Sequence, residues 1–358
     1  MRRHLLRVMC AVLLAMLLSA GSTAVAKEKV VLKFMGWEAS PLETESVKKG
    51  LAEFMRRNPD IVVEYTPVGG DYHAKLLTMI AGNAAPDVFF LSVRGYYAEF
   101  QKRGILLDLT DYFNKEYRLE DFVPSDRKKM VINGRIYGIS SCIVVPQIFY
   151  NKDLFDKAGL PYPPADPEKA WTWDEFVEVA KKLTIREGGK TVQYGVFGFE
   201  GWDEGMLALT ALIFSNGGEI FDPTFSKCVL DQPAAREVIQ KVGELRSKYR
   251  VAPEGRFMKE SGMSASQMLQ TGKVAMVIDG SWALQELAQM NFRVGVGVLP
   301  VFKRAATTDE AHVHVVYKGT KYPEEAWRLV SFLSSEWYQL ELVRSGLWLP
   351  NRMALYTP

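Results

Sequence analysis

The feature of this sequence that most constrains its fold is a regular alternation of apolar runs with capped, amphipathic segments. Between the runs, Ser40 can cap a helix that starts at Pro41, and Glu43 would complete a capping box. Asp71 can cap a second helix. This strand–helix–strand–helix–strand order predicts a parallel sheet with right-handed crossovers. The runs typical of buried strands are residues 30–37, 60–66 and 87–92.

A second region with the same character begins near Ser140. It contains an extended apolar run at 142–150, a helix whose capping box pairs Thr172 with Glu175, and a late apolar run at 274–278. The chain has 358 residues, a length that suits about two domains. The sequence therefore predicts an α/β protein with two lobes.

The first 26 residues have the pattern of a secretory signal peptide. MRRHLLR is a basic start, VMCAVLLAMLLSA is too short an apolar run to span a bilayer, and a small-x-small motif ends at Ala26. An uncleaved membrane anchor is the alternative. We expect cleavage after Ala26 and a periplasmic location.

Cleavage would change the net charge of the chain. The whole sequence has 44 Lys and Arg against 42 Asp and Glu; loss of three arginines within residues 1–26 leaves 41 basic residues and a charge of about −1. Such a balance gives no basic surface for a nucleic acid.

Motifs for catalysis, cofactors or metals are missing from the sequence. There is no phosphate-binding loop and no nucleophile elbow, and VGVGVLP (294–300) lacks the third glycine of a dinucleotide site. His312 and His314 alternate on one strand and share a face, but no third metal ligand has suitable spacing. Cys142 and Cys228 could form a disulfide, although buried thiols are the commoner arrangement. We expect no cofactor, no metal and no enzyme.

Aromatic residues follow several of the predicted strands. MVIDGSWAL (276–284) is one example, because Trp282 stands where a buried strand reaches the surface. Trp282 alone could be core or a stacking surface. Ligands of open α/β sheets bind beyond the carboxyl ends of strands, and sugars stack their C–H faces on aromatic rings. The aromatic positions are Trp37, Tyr96, Trp202 and Trp282, and the polar residues beside them are Glu38, Ser92, Asp203 and Ser281.

Six motifs in order give the chain a family resemblance. It resembles the family 1 extracellular solute-binding proteins of ABC importers, the group of maltose- and multiple-sugar-binding proteins. The motifs are APDVFFLSVRGYYAEFQKRGILLDLTDYF (85–113), NGRIYGIS (133–140), FYNKDLFDKAGL (149–160), TWDEFVEVAKKLT (172–184), GKVAMVIDGSWAL (272–284) and YPEEAWRLVSFLSS (322–335).

The resemblance implies a periplasmic-binding-protein fold of type II, with a ligand cleft between two hinged lobes. Lobe 1 would comprise 27–143 and 310–334, and lobe 2 would comprise 144–309 and 335–358. Family members commonly continue beyond the end of this sequence, which leaves two alternatives open: a trimmed second lobe or a truncated sequence. The first crossing between the lobes would fall at about Ser140–Val145, and the hinge would fall on Ser140, Ser141 and Cys142.

The resemblance also implies a function. The protein would be a monomeric receptor that binds a mono- or oligosaccharide and delivers it to inner-membrane ABC permease subunits. Trp37, Trp202 and Trp282 would stack on the sugar; the polar contacts would come from Glu38, Ser92, Asp203 and Arg352, with Tyr96 and Ser281 at the same cleft. Two alternatives stay open: glycerol-3-phosphate or another anion held by Arg94 or Arg352, and a secreted glycoside hydrolase or lyase using Glu38 and Asp203.

Overall fold

The computed structural model describes residues 28–38, 40–93, 96–199, 204–223, 226–254, 257, 260 and 262–356, with only the backbone at 204–206. The predicted signal peptide lies outside these residues. Within the described ranges, no helix has both the length and the apolar character needed to cross a membrane.

Two five-stranded sheets organise the chain. The first has the order β2-β1-β3-β12-β6 and the second has the order β11-β7-β10-β9-β8, while β4 and β5 form a small hairpin. The strands are β1 (Val30–Trp37), β2 (Ile61–Val68), β3 (Val88–Ser92), β4 (Val131–Ile132), β5 (Arg135–Ile136), β6 (Gly138–Val144), β7 (Pro146–Asn151), β8 (Ile185–Glu187), β9 (Lys190–Phe197), β10 (Val274–Gly280), β11 (Val294–Gly297) and β12 (Glu310–Val316).

Helices cover both sheets, and short 3-10 turns occur at Leu119–Asp121, Pro167–Lys169 and Met353–Tyr356. Each sheet has its own apolar cores, so we call the two units the first and second lobe. The helices are α1 (Pro41–Arg57), α2 (Tyr72–Ala81), α3 (Tyr96–Lys102), α4 (Thr110–Glu116), α5 (Pro124–Met130), α6 (Lys152–Ala158), α7 (Trp173–Leu183), α8 (Glu204–Ser215), α9 (Pro233–Ser247), α10 (Ala265–Gln270), α11 (Ala283–Leu287), α12 (Pro323–Leu333) and α13 (Glu336–Arg344).

The helix starts follow the capping chemistry of the sequence. The hydroxyl of Ser40 accepts a hydrogen bond from the Glu43 amide at 3.1 Å. Asp71 accepts from the backbone of α2 in the same way. Thr172 and Glu175 form the full capping box at the start of α7. These caps satisfy backbone N–H groups that have no partner inside the helix, and so fix where each helix begins.

The chain passes from the first sheet to the second at a single residue. β6 ends at Val144 and β7 begins at Pro146, so Val145 alone joins them. It returns through residues 298–309, between β11 and β12. These two passages are where the lobes are connected along the described chain.

The predicted hinge residues do not lie at the first passage. Ser140, Ser141 and Cys142 are buried inside β6, where Ser140 pairs with Val313 and Cys142 pairs with His312 of β12. Residues held in a hydrogen-bonded ladder cannot change their backbone angles freely. Within the predicted crossing Ser140–Val145, the passage therefore falls on the last residue, Val145, and the three predicted hinge residues are corrected accordingly.

The prediction that residues 335–358 return to the second lobe is wrong for the part that the structure describes. Tyr338, Leu342 and Trp348 belong to the apolar core of the first lobe, and Leu349 pairs with Ile143 beside β6. The apolar side of α13 is buried against α1, which supplies an apolar surface of its own. The last described segment is therefore part of the first lobe.

Candidate functional site

One edge of the first sheet gathers the ends of four strands. β1 runs parallel to β3, and β12 runs antiparallel to both β3 and β6. The carboxyl ends of β1, β3 and β6 therefore meet the amino end of β12. The residues at this edge are Trp37, Ser92, Val144 and Glu310.

The second sheet presents a matching edge. β7 runs antiparallel to β10 and β11, and β9 runs parallel to β10, so the edge comprises Pro146, Phe197, Gly280 and Gly297. Because Val145 joins the end of β6 directly to the start of β7, the two edges lie on either side of the junction between the lobes. A cleft at this position is where open α/β sheets bind ligands.

Trp37 stands at the first edge among aromatic rings. Its indole is half-buried, and its ring centre lies 4.7 Å from that of Tyr72, 5.1 Å from that of Phe90, and 5.1 Å from that of His312. Tilted and edge-to-face contacts of this kind hold an aromatic side chain in one orientation. Trp37 therefore has a fixed ring that keeps part of its surface outside the core.

Glu38, the next residue, also lies at this edge. Its carboxylate accepts a hydrogen bond from the Thr44 hydroxyl at 3.0 Å, and its amide donates to the carbonyl of Val68 at 3.0 Å. Glu38 is half-buried, so part of the residue is accessible to solvent at this edge.

Ser92 is joined to two residues that sequence reasoning did not select. Its hydroxyl donates to the carboxylate of Glu310, and His312 Nε2 lies 3.8 Å from Glu310 Oε1. Ser92 faces His312 in the ladder between β3 and β12. The signal was in the sequence, since alternation places Glu310, His312 and His314 on one face of β12. Among the described residues, no group of three potential ligands could hold a metal.

Tyr96 is paired with another residue that the sequence did not single out. The imidazole of His73 lies parallel to the phenol, with ring centres 3.4 Å apart and an angle of 6° between the planes. His73 also meets the Trp37 indole edge-on, at 5.2 Å. Burial lowers the pKa of His73 to about 4, so the ring is neutral at pH 7. The structure thus brings Tyr96 beside Trp37 through His73.

Ser281 connects the second sheet to the first passage. Its amide donates to the carbonyl of Val145 at 3.0 Å, and its hydroxyl accepts from the Val145 amide at 3.4 Å. The side chain is 1% exposed. Ser281 therefore positions the junction, and its buried hydroxyl is already engaged there.

Trp282 lies between the two lobes. Its indole is half-buried and packs against the apolar cores of both the first and the second lobe. A Cβ atom added at Gly280 would overlap its six-membered ring, so the indole lies directly on that glycine. Trp282 is therefore packed against both lobes and is also partly exposed, so it is neither fully buried core nor a free surface ring.

A cavity of about 370 Å³ adjoins both passages. Its walls are mainly apolar, and Gln147 Oε1 within the second lobe is buried without a hydrogen-bond partner among the described residues. The lining residues are Val145, Pro146, Gln147, Pro167, Ala170, Val298, Leu299, Ala305, Ala306 and Thr307.

Arg352 does not join the site. Its guanidinium lies 4.8 Å from the ring centres of both Tyr117 and Phe122, and 3.9 Å from the carboxylates of Asp121 and Glu336. These contacts hold the cation inside the first lobe by cation–π attraction and charge. The prediction that Arg352 contacts the ligand is corrected accordingly. Trp202 and Asp203, and the alternative anion ligand Arg94, lie outside the described residues.

The family model for bacterial extracellular solute-binding proteins matches residues 40–339 of this chain. This chain belongs to that family. The match covers most of the sequence and both lobes, so family membership applies to the whole fold.

Solved structures of this family have the same architecture. An ABC substrate-binding protein of Listeria monocytogenes, in complex with cycloalternan, is 27% identical with a TM-score of 0.81, over 91% of this chain and 81% of that one. The maltose-bound MalE3 of T. maritima is 29% identical with a TM-score of 0.78, over 92% and 83%. A binding protein of Brucella abortus is 26% identical over 314 residues, 86% of this chain and 72% of that protein. The predicted family and two-lobe α/β fold are confirmed.

Proposed function

We propose that this protein is the substrate-binding component of an ABC importer, and that it binds a carbohydrate between its lobes for delivery to the membrane permease. The observation that carries this proposal is the half-buried Trp37 at the strand edge of a solute-binding protein. It has a fixed ring and polar neighbours, which is the combination that sugar recognition uses.

The chemistry of the first edge suits a neutral, hydroxyl-rich solute. The indole of Trp37 offers a flat apolar face to sugar C–H groups. The carboxylate of Glu38 is a strong acceptor for hydroxyl protons, and bonds to a charged acceptor are stronger than neutral ones. His73 is neutral at pH 7 because burial lowers its pKa to about 4, so it adds a polar group without positive charge. An anionic solute would meet the Glu38 charge and be disfavoured.

Trp282 supplies the opposing surface. It is attached to the second lobe through β10, yet it contacts the core of the first. A ligand that touches Trp37 and Trp282 together makes its full set of contacts only when the lobes are closed. The closed form is then favoured by the ligand's differential affinity for it. We propose that transport requires this closure and no bond chemistry.

The proposal extends to location and assembly. We infer export to the periplasm with cleavage after Ala26, action as a monomer, and docking of the closed form on permease subunits. Mass spectrometry of the exported protein should give a mature chain beginning at Lys27, and light scattering should give the mass of one chain. A retained residue 1–26 or a dimer would contradict these two inferences separately.

The decisive experiment is a thermal-shift screen of mono-, di- and trisaccharides, with glycerol phosphates included, followed by calorimetric titration and analysis of the recovered ligand. A bound sugar should raise the melting temperature as RT ln(1 + [L]/Kd) requires, and should be recovered intact. Stabilisation by the phosphates alone would overturn the carbohydrate assignment, and release of product would overturn the receptor assignment.

A matched pair of tryptophan variants tests the site within the same screen. Trp37→Ala should lose most of the sugar-induced shift. Trp337→Ala removes another half-buried indole of the first lobe, which packs on Arg57 and Phe332. It should lower the unliganded melting temperature but keep the sugar-induced shift.

A further inference from the structure

A buried carboxylate ties helix α5 to the strand that leads into the first passage. Asp126 is 0% exposed. Its Oδ2 atom accepts a hydrogen bond from the Ser140 hydroxyl at 2.8 Å and another from the Asn351 amide group at 2.7 Å. Ser140 belongs to β6, four residues before Val144. The carboxylate therefore fixes both β6 and the last described segment to α5.

The next turn of α5 holds the return passage. Lys129 Nζ lies 2.6 Å from Asp309 Oδ1 and donates to the Asp309 carbonyl at 3.1 Å. The same ammonium is 3.8 Å from Asp126 Oδ1. Asp309 is the last residue before β12, so Lys129 fixes the end of the return passage.

Asn351, which donates to Asp126, is itself held by hydrogen bonds to Gln339. The Gln339 side chain donates to Asn351 Oδ1 at 2.7 Å and accepts from the Asn351 amide at 2.9 Å. Gln339 lies on α13, which packs on α1 of the first lobe. Buried networks that are satisfied at most of their atoms hold their members in one arrangement.

We propose that Asp126 and Lys129 are positioning residues that anchor both passages to α5, and so set the open–closed equilibrium and the ligand affinity without touching the ligand. The inference rests on the proposed function, since it assumes that the lobes close on a solute. It does not depend on which sugar is bound. If the contact of Asp126 or that of Lys129 is lost, one end of a passage becomes mobile. Closure of the lobes must then order that passage, and this lowers the ligand affinity.

Asp126 and Asp309 compete for the same ammonium group of Lys129, and this competition makes the Lys129–Asp309 contact depend on pH. Burial raises the pKa of Asp126 to about 6. Asp126 Oδ1 and Asp309 Oδ2 are both buried without a hydrogen bond in the described structure, and Lys129 stands between the two carboxylates. The other titratable groups that face Asp126 are Cys142 and Tyr356. As pH rises through 6, ionised Asp126 draws Lys129 from Asp309 and loosens the return passage.

The test measures lobe movement directly. Spin labels at Lys102→Cys in the first lobe and Ser247→Cys in the second, in a Cys228→Ser background, report the inter-lobe distance in the unliganded protein. Lys129→Met is compared with Lys128→Met, which removes the same charge from a neighbouring exposed position of α5. Lys129→Met should broaden the distance distribution, whereas Lys128→Met should leave it as in the parent protein.

Two further measurements are the sugar affinity of the variants and the effect of pH on the inter-lobe distance. Sugar affinity should fall about 2- to 30-fold in Lys129→Met, the range that coupling residues remote from a ligand produce. In the parent protein, the inter-lobe distance distribution should broaden as pH rises from 5 to 7. Asp126→Asn should abolish this broadening. A parent-like distance distribution in Lys129→Met would overturn the proposal, whatever the melting temperature of the variant. If no sugar binds, the proposed function fails, but the distance measurement still decides whether the anchor exists.

Discussion

The imidazole of His73 and the phenol of Tyr96 lie face to face, with ring centres 3.4 Å apart. His73 comes from α2 and Tyr96 from α3, so the pair joins the helices that follow β2 and β3, the two strands on either side of β1 in the first sheet. The edge of His73 also contacts Trp37. The three rings therefore form one aromatic wall, in which His73 supports the indole that we propose as the sugar surface.

Removing the middle ring of this wall should weaken sugar binding. His73→Ala leaves the Trp37 indole without one of its neighbours, and an aromatic contact is worth about 0.5 to 1.5 kcal/mol beyond area burial. We therefore expect a roughly 2- to 13-fold rise in Kd by calorimetric titration. Tyr96→Phe keeps the stacked ring and should bind sugar within about twofold of the parent protein. Unchanged sugar binding in His73→Ala would mean that the stacked rings do not support the Trp37 surface.

Gly280 gives a way to move Trp282 without removing it. A methyl group at this position overlaps the indole ring, so Gly280→Ala should push the ring out of place. Overpacking of this kind costs about 1 to 3 kcal/mol. We expect a lower melting temperature and a weakened sugar-induced shift, because the displaced indole no longer lies where we propose that it contacts the sugar.

Gly243→Ala is the matched control for that experiment. Gly243 lies within α9, and an added Cβ there meets no atom within 4 Å. Replacing an exposed helical glycine by alanine stabilises a protein by about 0.5 to 1 kcal/mol. This variant should melt higher and bind sugar normally. Unchanged sugar binding in Gly280→Ala would remove Trp282 from the proposed site.

His314 should make the protein less stable in acid. Its ring is 2% exposed and packs on Phe34 and Phe90, and burial lowers its pKa to about 3. The unfolded chain protonates this histidine below about pH 6.5, whereas the folded chain does not until about pH 3. The stability that neutral His314 provides is therefore complete above pH 6.5 and is lost as pH falls towards 3.

Phenylalanine at position 314 isolates this effect from other titrating groups. His314→Phe keeps a planar ring of similar size and removes the protonation. Between pH 7 and pH 4.5, the parent protein should lose about 2 to 3 kcal/mol more unfolding free energy than the variant does. Urea unfolding of both proteins at the two pH values measures this difference in unfolding free energy. Parallel losses in the two proteins would show that His314 does not control acid stability.

The parts of the fold that the sequence predicted are those with local causes. Ser40, Asp71 and Thr172 start helices because their side chains satisfy nearby backbone amides, and such bonds involve residues three positions apart. Trp37 was predicted at a strand end, which is also a local signal, and it is the last residue of β1. Alternation and capping were therefore enough to predict the two lobes.

The parts that were wrong or missed depend on distant contacts. Arg352 carries a charge that suits a ligand, but its position is decided by Tyr117 and Phe122, more than 200 residues earlier. Glu310 was not singled out, and His312 was considered only as a metal ligand, because it is the pairing of β12 with β3 that places them beside Ser92. No pattern within a short stretch of sequence reveals that β12 will pair with β3.

The placement of α13 gives the last prediction. Tyr338 is 1% exposed, and its ring occupies the space that a Cβ at Gly50 of α1 would need. Tyr338→Ala should cost about 3 to 5 kcal/mol, as for other large aromatic truncations in a core. Hydrogen exchange should then lose protection in α1 and the first sheet, with the second lobe unaffected. Val343→Ala, on the same helix at a residue that is 36% exposed, should change stability by about 0.5 kcal/mol or less. Unchanged protection in α1 and the first sheet would contradict the prediction that Tyr338 stabilises this part of the first lobe.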